Sequence, residues 1–205
     1  MQQETWTTDE FGPSHTGSVG VLLRDGTVPE PAYLMMTEHG SGLTTSQWTV
    51  YDGRSGLAPR AHALRAVCSC GWSGREHPLD WERIGERLLG EAAMEPADAC
   101  EQEWDEHTVE VEKSAVVVPE DVMEQLRRLG DAVERLTKDS PLAALRAARL
   151  LEVTAERTAY WAARDARCEV GLAEAAAGLG LNEDGARHLL ARFGRWSPYS
   201  WPLDY

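Results

Sequence analysis

The sequence predicts an α+β protein: a small N-terminal antiparallel sheet with acidic helices, then an all-helical region that ends in two short helices about a glycine turn. Three observations predict it. Between Val19 and Cys70 the apolar residues come in short runs broken by Gly, Pro and Asp turn signals. From Asp80 onward they recur at three- and four-residue steps. The charge is also divided unevenly: residues 1–114 hold 20 acids and 8 bases (net -12), residues 115–205 hold 14 acids and 12 bases (net -2), in a 205-residue chain of net charge -14. Two modules with different surfaces follow from that division.

Residues 1–17 are polar, contain Gly12 and Pro13, and are expected to be mobile. The module over residues 18–114 begins with Val19-Gly20-Val21-Leu22-Leu23, a strand closed by Arg24-Asp25-Gly26. Ala32 to Met36 resumes after Pro29 and Pro31, and Gly40-Ser41-Gly42 reads as a loop. Gln47 to Tyr51 alternates as a third strand, and Ala61 to Cys70 makes a fourth. Asp80 is placed to cap a helix over Trp81–Leu89, and Pro96 suits the first turn of the next, whose stripe is Ala97, Cys100, Trp104 and His107. Val109 to Val118 alternates Val and Glu and is expected to return to the sheet.

In the region 115–195, Pro119 opens a helix whose Val122, Leu126, Leu129, Val133 and Leu136 form a heptad seam of little more than two heptads, expected to pack within the chain. Ser140-Pro141 starts a long alanine-rich helix towards Arg167. Within 170–194, Leu172 to Leu179 and a second helix capped by Asn182 flank Gly178-Leu179-Gly180-Leu181, the outline of a helix-turn-helix. The tail, residues 196–205, is rich in Trp, Tyr and Pro, and is expected to pack on the body or on a partner.

The chemistry centres on Cys68-Ser69-Cys70-Gly71-Trp72-Ser73-Gly74. Two thiols on a glycine turn point the same way, and a knuckle of that kind suits Zn²⁺, which takes tetrahedral sulfur and nitrogen ligands. The predicted set is Cys68, Cys70, His77, which returns after Gly74, and His107, which faces inward with Trp104. His62 and Glu103 are alternatives to His77 for the fourth place. Cys100 lies seven residues before His107, about 10 Å along a helix, and reads as a buried apolar residue. The plain alternative is that the thiols are free and the histidines lie on the surface.

The Cys68-Ser69-Cys70-Gly71-Trp72 box followed by Trp104-Asp105-Glu106-His107 resembles small acidic actinobacterial proteins with a C-x-C-G-W … W-x-x-H pattern. The run from Ser140 to Gly194 is similar to a sigma-factor-like helix-turn-helix. Together the two cover roughly half of the chain. The resemblance implies a metal-bound knuckle and a DNA-reading shape, and no reaction. The second short helix departs from such motifs by opening with Glu183-Asp184-Gly185, where basic or amide residues are usual.

The expected function is therefore a cytoplasmic, DNA-associated transcription regulator and not an enzyme. Arg187, His188, Arg192 and Arg195 would meet double-stranded DNA, and the acidic N-terminal half would bind a ligand or protein partner. The alternative is an acidic protein–protein adapter whose helix-turn-helix serves packing only. A metal-dependent hydrolase stands third, since no paired general base accompanies the ligands. No P-loop, dinucleotide fingerprint or G-x-S-x-G is present, Cys168 sits beside the unfavourable charge of Glu169, and no apolar run approaches the ~20 residues that cross a bilayer.

Overall fold

A computed structural model describes residues 4–35, 42–54 and 58–200. The chain divides into two compact units, Met1–Lys113 and Ser114–Tyr205. The first holds β1 (Gly17–Leu22), β2 (Ala32–Met35), β3 (Gly42–Thr45), β4 (Ala63–Cys68) and β5 (His77–Pro78), followed by α1 (Trp81–Ile84), α2 (Leu89–Ala92) and α3 (Met94–Ser114). An antiparallel sheet runs in the order β1-β4-β5, and β2 with β3 form a separate antiparallel pair.

In β1 burial alternates from Gly17 to Val21, where Val19 and Val21 oppose Ala66 and Leu64 of β4, and Leu22 at the strand's end is buried as well. Across this sheet lies α3, whose buried stripe Ala97, Cys100, Trp104, Thr108 follows helical steps. Trp104 meets β1 where a side chain on Gly17 would collide with its indole, so the close approach requires glycine there. Asp80 caps α1 as expected, its Oδ1 accepting from the backbone N–H groups of Glu82 and Arg83. That helix ends at Ile84, where Gly85 turns with φ 57°, short of the predicted Leu89.

Several sequence expectations are corrected. Residues 4–17 are anchored at two points: Trp6 exchanges backbone hydrogen bonds with Gly17 and lies against Trp104, and His15 is 2 % exposed, while most of the residues between are exposed. The polar composition of this segment hid its two anchoring rings. Gln47 to Tyr51 is not a strand: Trp48–Val50 forms a 3-10 turn, with Trp48, Val50 and Tyr51 all buried. Gly42–Thr45 is a strand although Gly42 reads as a loop; Gly40 and Ser41 lie outside the described residues. Val109 to Ser114 continues α3, supported by the Glu110–Lys113 pair at 2.6 Å, and Val116 donates its N–H to the Gly178 carbonyl instead of joining the sheet.

The second unit contains α4 (Glu120–Asp139), α5 (Pro141–Glu169), α6 (Leu172–Gly178) and α7 (Glu183–Gly194), then a 3-10 turn at Pro198–Ser200. α4 packs on α5 but buries none of its residues fully, and Leu126 and Leu129 stay 58 % and 42 % exposed. Ser140 precedes α5 without a side-chain cap, and Pro141 occupies its first turn. The two short helices are joined through residues 179–182, with Asn182 accepting from the Gly185 N–H. Ala163, Ala175 and Leu190 form the small core of this unit, and Trp196 of the tail packs on it; residues 201–205 lie outside the described residues. No described helix is long and apolar enough to cross a membrane.

Trp104 joins α3, β1 and the N-terminal segment, so Trp104→Ala should cost the first unit about 3–5 kcal/mol. Urea unfolding of the full chain checks this; a loss below about 1 kcal/mol, the typical cost of an ordinary point substitution, would show that the segment packs without it.

Candidate metal centre

The knuckle is built from the end of β4. Cys68 donates its backbone N–H to Trp72 O and accepts from Gly71 N–H, both at 2.9 Å, which folds the chain back on itself. Gly71 takes φ 97°, a conformation that glycine adopts without strain. The Trp72 N–H points at Cys70 Sγ, 3.4 Å away, so backbone as well as side chain is arranged around the sulfur.

Ser69, between the thiols, laces the knuckle to the segment that carries His15. Its Oγ accepts from Thr16 N–H at 2.9 Å and faces the carbonyls of Pro13 and Ser14 at 3.1 and 3.0 Å. Its own N–H donates to Thr16 O. This holds the 3-10 turn Gly12–His15 against β4, with Phe11 packed on the His15 ring. From the other side α3 delivers His107, whose ring stacks on Trp72 at 4.3 Å with planes 3° apart.

His15, Cys68, Cys70 and His107 thereby converge. His15 Nδ1 lies 3.6 Å from Cys68 Sγ, His107 Nε2 lies 3.4 Å from Cys70 Sγ, and the four donor atoms are all within 4.8 Å of one another. These four side chains can hold a metal ion. The electrostatics pull in opposite directions. Burial, reinforced by Cys68, pushes the Cys70 thiol up to about 11, and burial followed by the neighbouring His15 lowers His107. His107 is thus kept in the neutral form a metal needs, while the thiol ionises when a cation replaces its proton.

His77, expected in this shell, is elsewhere. Its Nε2 lies 3.0 Å from Glu103 Oε1, and Glu103 also accepts from the Arg75 N–H and pairs with the Arg75 guanidinium. Histidine, carboxylate and arginine satisfy one another, and neither His77 nor Glu103 belongs to the cluster of His15, Cys68, Cys70 and His107. His62 is exposed and outside the cluster. His15, which sequence reading missed, takes the fourth place. Strand pairing brings it there: Gly17 opposes Cys68, Ser69 bonds Thr16, and the turn Gly12–His15 before β1 sets His15 against the Cys68 thiol. Cys100 is fully buried with its thiol pushed up to about 12, chiefly by burial, and Cys168 is exposed and apart.

The four basic residues expected at DNA belong to the second unit. Asp184 engages two of them, Arg187 through its carboxylate at 3.2 Å and His188 through its backbone carbonyl at 2.9 Å. Arg192 lies over Phe193 and Arg195 over Tyr160. Arg187 is half-buried on the flank of α7, while His188, Arg192 and Arg195 are exposed.

His15→Ala should abolish stoichiometric Co²⁺ binding, and His77→Ala should retain it, as read from the absorption of thiolate-ligated tetrahedral cobalt. Apparent affinity should fall as pH falls, because each bound thiol releases a proton. Retention by His15→Ala with loss in His77→Ala would reverse the assignment. No family model, curated protein or solved structure matches this chain.

Proposed function

We propose that the metal is a structural Zn²⁺ and that the protein is a DNA-associated regulator, without enzymatic activity, whose helix pair α6–α7 contacts the duplex. For the metal, the support is the donor set and its spacing. Zinc–sulfur and zinc–nitrogen bonds of about 2.3 and 2.0–2.1 Å at a tetrahedral angle put neighbouring donors about 3.6 Å apart. The two sulfur–nitrogen separations in the cluster are 3.6 and 3.4 Å. Four protein ligands fill a tetrahedron and leave no position for water, which argues for a structural ion and against hydrolysis.

The observation that carries the DNA reading is the α6–α7 pair: a seven-residue helix, a short turn, and a capped 12-residue helix with His188, Arg192 and Arg195 on its exposed side or at its end. A second helix of this length can lie in a major groove while the first crosses the backbone. A specific observation favours the adapter as the second reading. Asp184 occupies both Arg187 and His188 at the start of α7, where base contacts begin, and the chain as a whole is acidic.

Anisotropy titrations of the zinc-loaded full chain on a random duplex pool separate the two. For a DNA reader, affinity should fall with salt by about 0.9 log unit per log unit of salt for each phosphate contact. Arg192→Ala should flatten that slope, and Asp184→Asn should strengthen binding by releasing Arg187 from its ion pair and removing a negative charge from the start of α7. Absence of salt-sensitive binding in the parent and in Asp184→Asn alike would leave the adapter as the function.

A further inference from the structure

In the second unit, α5, α6 and α7 meet through small residues and leave a cleft of about 420 Å³ between them. Its floor is Ala159, Ala163 and Ala166 of α5; Ala175 of α6 and Leu190 and Phe193 of α7 form the walls. Helices that bury a common face normally fill the space with branched side chains, because protein interiors pack to the density of organic crystals. Here the positions that would do so are alanines, one turn apart along α5, and the space stays open. The lip is pinned: Val116 donates its N–H to Gly178 O at 2.8 Å, and its side chain sits where a Cβ on Gly178 would come within 3.0 Å.

The lining is apolar except for one charged side chain, Glu174, which stands exposed at the rim. A cleft of this size falls within the range of about 300–1,000 Å³ that takes small organic ligands, which are held by apolar walls and oriented by a few polar groups. A carboxylate as the single polar group selects for positive charge. We propose that this cleft is a binding site for a small apolar molecule bearing one cationic group, its body against the alanine floor and its cation at Glu174. The inference stands on the second unit alone and is independent of whether α7 meets DNA.

The test uses the full chain and 1-naphthylmethylamine, an aromatic body with an ammonium group, titrated by its own fluorescence at neutral pH. One saturable site is expected. Ala163→Leu, which fills the floor, should weaken binding about tenfold or more while far-UV circular dichroism stays that of the parent. If that variant loses helix, Ala159→Leu one turn earlier makes the same test. Glu174→Gln should weaken the amine several-fold and leave 1-naphthalenemethanol unchanged. No saturation up to the solubility limit, or affinity within about twofold of the parent in a folded floor variant, overturns the site. Equal amine affinity in Glu174→Gln overturns the cationic class.

Discussion

The pairing of β1 with β4 sets Gly17 against Cys68, and the arrangement of the N-terminal unit depends on that register. It aligns Val19 and Val21 with the buried side of β4 and presents a bare glycine to Trp104. It also carries the chain before β1 alongside the chain after β4, so a histidine on one arrives beside a thiol on the other. Ser69 locks the two segments with its amide and hydroxyl, and α3 closes the cluster with His107. The thiols and imidazoles are thus drawn from three separate stretches of chain, and an ion held among them would tie the sheet to α3.

The parts of this legible in sequence were those where a local pattern and its cause coincide. Asp80 before a helix, Pro119 and Pro141 at helix starts, and Asn182 after a glycine turn each act on backbone groups within three residues, so composition suffices. Cys68, Cys70 and His107 were legible for the same reason: a knuckle is local, and His107 shares a helix stripe with Trp104. His15 was not, because its role is set by strand pairing 53 residues away, and a lone histidine in a polar segment carries no local mark. His77 misled because proximity in sequence to the knuckle counted for it, whereas Glu103 and Arg75 offered charge-assisted partners that a metal shell would have had to outbid. The Gln47–Tyr51 segment failed for another reason: three neighbouring buried side chains imitate alternation when only two of them are counted.

The second unit rests on a different economy. Its helices approach through Ala163, Ala175 and Ala186, and the larger apolar residues sit at the margins: Leu142 is 79 % and Trp161 66 % exposed. Small residues bring backbones close but bury little area each, so these helices are held by many slight contacts and by the Arg167 guanidinium over Trp196, while ion pairs along α4 support that helix itself. The heptad seam of α4 is real as a pattern and is satisfied only in part by α5. Where alanines face one another without a larger residue between them, the same economy leaves a cleft.

The strand register has a further consequence for how this chain tolerates change in length. Between β1 and β4 the polypeptide makes an excursion through residues 23–62 that includes the β2–β3 pair. Loop closure becomes costlier only slowly as loops grow, so insertions there are cheap provided the two strands still meet in the same frame. A single residue added or removed inside β1 is another matter, since it turns every side chain of the strand to the opposite face and shifts position 15 away from the thiols. Variation in length among chains built on this plan should therefore gather in the excursion and avoid the six residues of β1, a pattern imposed by geometry before any question of what the protein recognises.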